Sequence, residues 1–477
     1  MEHPRIITQI AQSIAKSKGR TLLVGGAVRD SLLGLEPKDW DIEVYGVTPD
    51  KLLTIAKTFG TPIEVGKSFG VIKLNTAYGE ELDITIPRRE TKTGTGHTGF
   101  EIEPDPFMTV KEAMERRDFT FNAIGYDPLT TDILDPYNGA NDLKNRLLRP
   151  VSNRFKEDPL RVIRAMQFAG RFNLHTTPEL NSMSQEVKSS FKELAAERVF
   201  QEWRKWAVKS THPSKGLDVL DQTGWLEHFP ELQALKNCPQ DPKWHPEGDV
   251  FTHTKHCCDA LAELDFFKNS SPDQKEILML TILGHDFGKP AKTKKEPDGR
   301  ITAHGHEPAG AAPMKAFLKR MKAPHKLQLK IIPLIKAHLI HASFTKEKPS
   351  KAAIQRLAKR LHPANIEELA CIIQADHNGR PPLPKKTIPG LENIIESARE
   401  HKVEEAPPEP WVRGRDLIKM GMPPGPKIGE ILKETYQAQM DNQAASKEDA
   451  IQLAREKITG AIAELNTQKE ISKEEIN

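Results

Sequence analysis

The chain has 477 residues, of which 28% are charged and 37% hydrophobic, with a mean hydropathy of −0.54. These proportions exclude an integral membrane protein and a wholly disordered one, and the length allows about three domains at roughly 150 residues each. A net charge of +3 permits nucleic-acid binding without arguing for it, so any basic surface has to be local.

In chain order, Ile6, Ile7, Ile10 and Ile14 recur at helical spacing within a stretch that also carries charges and glutamines. That pattern predicts an amphipathic helix and not a signal peptide. Thr21–Val24 reads as a short buried strand broken by Gly25-Gly26, and Ala27–Leu33 as a helix ended by Gly34. Asp41–Tyr45, Val71–Leu74 and Glu81–Ile86 are further strands, the last two turning at Gly79. From about residue 141 the pattern is helical to the end. Pro-rich patches at 239–246, 380–386 and 404–410 interrupt it, and a charged helix over 447–477 closes it. The apolar run Ile277–Leu283 is too short to span a bilayer. Cys238, Cys257, Cys258 and Cys371 form no C-x-x-C pair, so neither a disulfide framework nor a zinc ribbon is expected. We expect a cytoplasmic protein with no membrane partner.

The segment Leu23–Gly46 carries the first chemical signal. Gly25-Gly26 between a strand and a helix start lets backbone approach a phosphate chain, with helix N–H groups pointing at it. Asp39 and Asp41 stand at i and i+2, on one face if both lie on a strand, and Asp83 sits on a later strand. Converging carboxylates of this kind hold hard divalent cations, which activate a hydroxyl and stabilise a leaving pyrophosphate.

These residues belong to a longer series: GGAVRDSLLG, KDWDIEVYG, ELDITIPRRE, GTGHTGF, RRDFTFNAIGYDP, DPYNGANDLKNRLLRPV and EDPLRVIRAMQFAGRF. In this order they resemble the class II tRNA nucleotidyltransferase/poly(A) polymerase family, over most of residues 21–172. The resemblance implies a polymerase-β-like head with Mg²⁺ on Asp39 and Asp41 and Asp83 as third carboxylate. It also implies nucleotide contacts from Gly25, Gly26, Arg29, Arg116, Arg117, Asp118 and Asn122. Within the same motif Asp158 and Arg161, at i and i+3 on a helix, share a face; Arg164 is the weaker third candidate. A carboxylate accepts from an exocyclic amine and a guanidinium donates to the adjoining ring nitrogen. Such a pair therefore selects cytosine and adenine over uracil and guanine without a nucleic-acid template.

Eleven of the 17 histidines fall between residues 245 and 377, where an even spread would put roughly five. Their centre is Leu283-Gly-His-Asp-Phe-Gly-Lys289, in which His285 and Asp286 offer an imidazole and a bridging carboxylate to a metal pair. The ordered set resembles an HD-type metal-dependent phosphohydrolase domain. The resemblance implies His253, His285, Asp286 and Asp376 as ligands, with His306 and either His338 or His341 at a second metal. The ion is a divalent transition metal or Mg²⁺. The lead-in Lys243–Glu247 resembles bacterial tRNA nucleotidyltransferases bearing this domain. The tail segment Arg413–Pro426 resembles the end region of HD-bearing relatives, or is simply a helical hairpin with a Pro/Gly turn.

The expected fold is therefore an α+β multidomain chain: a mixed-sheet nucleotidyltransferase head (1–140), a helical base-recognition and tRNA-binding region (141–243), an HD domain (244–380) and a helical tail (381–477). The expected function is CCA addition to tRNA from CTP and ATP, with a phosphohydrolase acting on 2′,3′-cyclic phosphate or 3′-phosphate ends. Alternatives are an A-adding or CC-adding specialist, a poly(A) polymerase, an HD nucleotide phosphohydrolase with an RNA-binding head, and a noncatalytic RNA-binding scaffold. Arg171, Lys188, Lys192, Arg198, Arg204, Lys205 and Lys209 either track a tRNA backbone or form a solvated face.

Overall fold

The computed structural model describes residues 1–64, 71–76, 79–92 and 100–474. The chain divides into two compact units, residues 1–236 with 319–323, and residues 237–318 with 324–477.

The first unit is built on a seven-stranded mixed sheet. Its strands are β1 (Arg20–Val24), β2 (Trp40–Tyr45), β3 (Gly60–Glu64), β4 (Val71–Thr76) and β5 (Glu81–Thr85), then β8 (Gly125–Tyr126) and β9 (Ile133–Leu134). Between them in sequence, β6 (Arg88–Lys92) and β7 (Phe100–Pro104) form a separate antiparallel ladder. The sheet order is β3-β4-β5-β2-β1-β8-β9, and only β2 and β5 run parallel. The amphipathic N-terminal helix is Arg5–Lys16; it buries Ile6, Ile7, Ile10 and Ile14 in the same core as Leu23, Ile42, Val44 and Ile84 of the sheet. The two strands read at Val71–Leu74 and Glu81–Ile86 are β4 and β5, and Gly79 between them has a φ of +90°, which glycine adopts without steric cost.

Helices Leu160–Phe172, Ala196–Lys209 and Pro213–Gln222 follow in the same unit. Trp203, Trp206 and Trp225 are fully buried, and Trp206 Nε1 donates to the Pro213 carbonyl at 3.0 Å. A Cβ at Gly216 would lie 2.7 Å from the Met166 carbonyl oxygen, so glycine permits the close crossing of the first and third of these helices.

The second unit is helical, apart from a two-residue antiparallel ladder of Lys294–Lys295 with Ile301–Thr302. Helix Pro272–Gly284 starts with Ser271 accepting from the Gln274 N–H and Pro272 at the first helical position. From Glu276 to Gly284 every residue is buried, as expected for a helix that is apolar all round. It packs with helices Val250–Glu263, His325–Ala337 and Ile366–Asn378. Helices Gly414–Lys419 and Pro426–Met440 flank the Pro/Gly turn expected at the tail, and helix Lys447–Glu474 follows. Among the described residues no helix is long and apolar enough to cross a membrane, and all four cysteines are free and buried.

Candidate functional site

In the first unit, β2 is the organising strand. Its register sets Asp41 beside Val24 of β1 and beside Asp83 of the parallel neighbour β5. Asp39 does not share the strand: it occupies a bend one residue before β2, because extended pairing starts at Trp40. The expectation of two carboxylates on one strand face is corrected in this respect. Asp83 meets Lys73 Nζ at 3.2 Å across the β4–β5 ladder. Burial pushes the Asp41 carboxyl above its ordinary range; Arg117 pulls it down, while Asp83, Asp39 and Glu43 push it up again. This concentration of like charge on oxygen donors fits a hard divalent cation, which would relieve the repulsion. Gly25 caps the helix Gly26–Leu32 with a φ of +69°. A methyl there would lie 2.9 Å from Arg117 Nη1 and 3.5 Å from Asp41 Oδ2, so the backbone turn, the carboxylate and the guanidinium are close neighbours.

Sequence reasoning missed Glu43, which stands two residues beyond Asp41. Its side chain is fully buried; its Oε2 accepts from the Tyr45 hydroxyl at 2.8 Å and its Oε1 from Arg116 at 3.1 Å, with Arg117 at 4.0 Å. Burial raises the Glu43 pKa, but Arg117, Arg116 and the Tyr45 hydroxyl outweigh it and hold the carboxyl below its usual range. The signal was available: a charged residue at a position of β2 otherwise filled by Ile42, Val44 and Tyr45 needs a partner.

Asp118 and Asn122 are buried. Asp118 accepts from Arg164 Nε at 2.8 Å and from Asn122 Nδ2 at 2.9 Å, and Asn122 Oδ1 accepts from Arg29 Nη1 at 2.7 Å. Arg29 also pairs with Asp30 and lies against the rings of Phe168 and Phe172. The chain Arg29–Asn122–Asp118–Arg164 thus ties the glycine turn to the helix Leu160–Phe172. Burial raises the Asp118 pKa, and Arg164 with Asn122 more than reverses it.

Asp158 and Arg161 do not share a helix face. Asp158 is extended, two residues before the helix, and its Oδ1 accepts the Leu160 N–H at 3.1 Å; Pro159 starts the helix after it. Asp158 pairs with Arg198 at 3.3 Å, whereas Arg161 donates to the carbonyls of Arg154 at 2.7 Å and Arg116 at 2.6 Å. Both nevertheless line one cleft of about 500 Å³ with Arg116, Arg117, Asp118 and Arg164. Of the basic residues read as a tRNA track, Arg171, Lys188 and Lys205 pair with Asp30, Glu227 and Glu202. The motif GTGHTGF lies, but for Phe100, outside the described residues.

The second unit gathers the histidines. His253 sits on helix Val250–Glu263, His285 and Asp286 at the end of Pro272–Gly284, His306 at the start of a short helix, His338 at the end of His325–Ala337 and Asp376 on Ile366–Asn378. The Nδ1 of His285, His306 and His338 meets the carbonyl three residues earlier, at 2.7, 2.8 and 2.6 Å. His253 Nδ1 meets Glu247 Oε1 at 2.8 Å. Each contact places the ring proton on Nδ1 and leaves Nε2 to face the cluster, the tautomer a metal ligand requires. His253 Nε2 lies 3.1 Å from Asp376 Oδ1, His285 Nε2 3.2 Å from Asp286 Oδ2, and His306 Nε2 3.2 Å from Asp286 Oδ1 and 3.3 Å from His338 Nε2.

Two compact ligand groups result, His253 with Cys257, His285 and Asp376, and Asp286 with His306 and His338; a third joins His245 and Glu247 to His253. His341 joins none of them: one turn past His338, its Nδ1 meets the His338 carbonyl at 3.3 Å. The buried His285 Nε2 and both Asp286 oxygens lack a well-directed hydrogen bond, although Lys289 Nζ approaches Asp286 at 2.7 Å. Burial disfavours a charged His285, but Asp286 outweighs it and pushes the imidazole up to about 10; burial and then His285 push His338 down to about 3. Burial also raises the Asp286 carboxyl, and His285 and Lys289 overturn this and hold it well below the usual range. Under-bonded nitrogen and carboxylate donors around one point fit a pair of divalent cations. A pocket of about 280 Å³ opens beside Asp286, His306, His338 and Asp376, with Trp244, Lys289 and Arg380 on its walls. Sequence reasoning did not foresee Cys257 or the fixing of His253 by Glu247.

Comparisons with known proteins identify the family of the chain. Residues 21–149 match the Poly A polymerase head domain, and residues 174–236 match the family described as probable RNA and SrmB-binding site of polymerase A. The multifunctional CCA protein of Mannheimia succiniciproducens is 36% identical over 371 residues, 76% of this chain and 84% of that protein. That of Xanthomonas oryzae pv. oryzae is 34% identical over 418 residues, 86% and 95%. The fold is that of the Bacillus stearothermophilus CCA-adding enzyme in complex with CTP, at a TM-score of 0.64 and 20% identity over 98% of this chain and all of that one. The Thermotoga maritima CCA-adding enzyme complexed with tRNA superposes at a TM-score of 0.57 and 18% identity over 97% and 96%. Three quarters of the chain aligning at above 30% identity makes it a member of the multifunctional CCA protein family, a nucleotidyltransferase whose residues 21–149 are a Poly A polymerase head domain.

Proposed function

We propose that the first unit adds CMP and AMP from CTP and ATP to the 3′ end of tRNA, choosing the base with its own side chains. The observation that carries this reading is the cleft in which Asp158, Arg161 and Arg164 stand with Arg116, Arg117 and Asp118, tied through Asn122 and Arg29 to the Gly25 turn beside Asp41. Asp39 and Asp41, with Asp83, would hold Mg²⁺, which would supply activation of the tRNA 3′-hydroxyl and counter-charge for the departing pyrophosphate. Gly25 and Gly26 let backbone N–H groups approach the triphosphate, and Arg116 and Arg117, held by Glu43, supply its counter-charge. Asp158 accepts from the amine of cytosine or adenine. Arg161, its plane fixed by two carbonyls, donates a remaining N–H to the ring nitrogen. Uracil and guanine present a carbonyl to Asp158 and an N–H to Arg161, and each mismatch leaves polar groups unpaired. Arg29 and Asn122, buried behind this cleft, position Asp118 and Arg164.

The second unit acts, in this reading, as an HD phosphohydrolase on 2′,3′-cyclic phosphate and 3′-phosphate ends, so that a damaged end regains its hydroxyl. His253, His285, Asp286 and Asp376 would hold one ion, and His306 and His338 would serve a second. Such ions would supply activation of a water and polarisation of the phosphoryl group. Lys289 and Arg380 face an anion in the pocket, and the exposed Trp244 offers a base a ring to stack on.

The test of the first activity uses tRNAs ending before CCA, after C and after CC, each offered one labelled nucleotide at a time. CMP should enter the first two and AMP the third, with UMP and GMP excluded from all. Incorporation of AMP alone, of CMP alone, or of long adenosine runs would assign a specialist or a poly(A) polymerase instead.

A further inference from the structure

We propose that Cys257 is a sulfur ligand of the histidine-rich metal centre, and that it tunes this centre toward a borderline transition ion such as Zn²⁺ or Co²⁺ and away from Mg²⁺. The inference rests on the reading of that cluster as a metal site and adds to it a ligand that the order of histidines and aspartates does not supply.

Cys257 stands one turn after His253 on helix Val250–Glu263, so the two side chains share a face. The thiol is fully buried, and its Sγ lies 3.3 Å from His253 Nε2 and 3.7 Å from Nδ1, beside the ring on the side of the cluster. Sγ, His253 Nε2, His285 Nε2 and an Asp376 oxygen all lie within 4.8 Å of one another. Metal–ligand lengths of about 2.3 Å to sulfur and 2.0–2.1 Å to nitrogen separate the two donors by about 3.1–3.6 Å at angles between square and tetrahedral. The same arithmetic gives about 2.9–3.4 Å between nitrogen and a carboxylate oxygen. The observed 3.3 Å and the 3.1 Å from His253 Nε2 to Asp376 Oδ1 fall inside both ranges. One ion can therefore meet imidazole and carboxylate where they stand, and the sulfur once the Cys257 side chain turns from beside the ring toward Nε2.

Two further observations point the same way. His285 Nε2 is buried in the same group without a hydrogen-bond partner, so the group is short of an electrophile. A Cβ at Gly379 would lie 2.4 Å from Sγ and 2.7 Å from the Cys257 backbone nitrogen; the end of helix Ile366–Asn378 thus closes down on this cysteine and limits where its sulfur can turn. The adjacent Cys258 is equally buried yet belongs to no ligand group. A thiolate among imidazole and carboxylate donors selects borderline ions, whereas Mg²⁺ favours oxygen alone.

The test is the absorption spectrum of the full-length protein, stripped with chelator and reloaded with Co²⁺, with bound metal measured in parallel. The expected result is a thiolate-to-cobalt charge-transfer band in the near ultraviolet that persists in Cys258→Ala and disappears in Cys257→Ala. Zn²⁺ affinity should fall about 10–100-fold in Cys257→Ala, as for loss of a metal-supporting group, while weak Mg²⁺ binding changes little. Cobalt bound to the histidine cluster without the band overturns the sulfur ligand and leaves the metal site standing. A band that survives in Cys257→Ala also overturns it, since the sulfur is then another cysteine. A protein that takes up no cobalt at the histidine cluster, judged against His285→Ala, removes the metal reading as well. Circular dichroism checks folding of each variant, and should Cys257→Ala not fold, the wild-type and Cys258→Ala spectra decide.

Discussion

Glu43→Gln is the substitution that probes the head most sharply, because it changes one charge and almost no volume. Glu43 receives Tyr45 and Arg116 on its two oxygens and stands near Arg117. An amide has only one oxygen; with it on Arg116, the NH₂ donates to the Tyr45 oxygen, whose own proton must turn away, and the negative charge that held both guanidinium groups is gone. Breaking a buried ion pair from one side costs about 3–5 kcal/mol. Both arginines are about one-fifth exposed and keep some hydration, which brings the expectation to about 2–3 kcal/mol. Chemical denaturation of the first unit should show that loss, and nucleotide addition should fall with a raised KM for CTP and ATP as Arg116 and Arg117 lose their anchor. The pH dependence follows from the folded-state shift. The Glu43 carboxyl is held below its ordinary value of 4.5, so its stabilisation is complete above that value and is lost as pH falls through the folded pKa. The acid limb of the wild-type stability curve should therefore be steeper than that of Glu43→Gln. A variant with wild-type stability, an unchanged acid limb and unchanged KM would refute this role for the buried carboxylate.

Asp158→Ala should lower discrimination against UTP and GTP, by about 1–3 kcal/mol for one lost hydrogen bond, as well as the rate; slow but fully selective addition would place base choice elsewhere. Gly25→Ala should strain a backbone at φ +69° by about 1–3 kcal/mol and press a methyl toward Arg117, so nucleotide affinity should drop in equilibrium binding; unchanged affinity would contradict the close approach of the turn. In the histidine cluster imidazole and carboxylate donors bind a metal ion only when deprotonated, so the ion competes with protons there. Calorimetry in buffers of different ionisation enthalpy should show proton release, and metal affinity should weaken as pH falls.

Most of the head was legible in the sequence because strand alternation and glycine breaks are local signals. The N-terminal helix, β1, β2, β4 and β5 stand where periodicity puts them. The errors arose where a local rule met a tertiary one. Asp158 and Arg161 have the spacing of a helical pair, yet Asp158 is extended and serves the helix start from outside; Pro159 fits the first turn and disfavours helix for the residue before it. Asp39 has the spacing of a strand pair, but pairing begins one residue later. Glu43 stood out only as a charge at a buried strand position; its partners, Arg116 and Arg117, are more than seventy residues away and are not readable from local pattern. In the second unit the order of His253, His285, Asp286 and Asp376 was readable. The choice between His338 and His341 was not, since it depends on where helix His325–Ala337 ends. Cys257 was read only for disulfide spacing, and its helical register with His253 shows its environment only once the helices are packed.

The measurement that bears most directly on the proposal of two separate chemistries uses one substrate, a tRNA truncated before CCA and ending in a 2′,3′-cyclic phosphate. It is incubated with CTP, ATP and divalent metal, and compared among wild type, Asp41→Ala and Asp286→Ala. Wild type should open the cyclic phosphate with one water, release inorganic phosphate with a second, and extend the resulting hydroxyl to CCA. Asp41→Ala should stop at the free hydroxyl, and Asp286→Ala should leave the cyclic end intact while still extending a tRNA supplied with a 3′-hydroxyl. Extension by Asp41→Ala, or end-healing by Asp286→Ala, would contradict the assignment of one metal-dependent reaction to each unit.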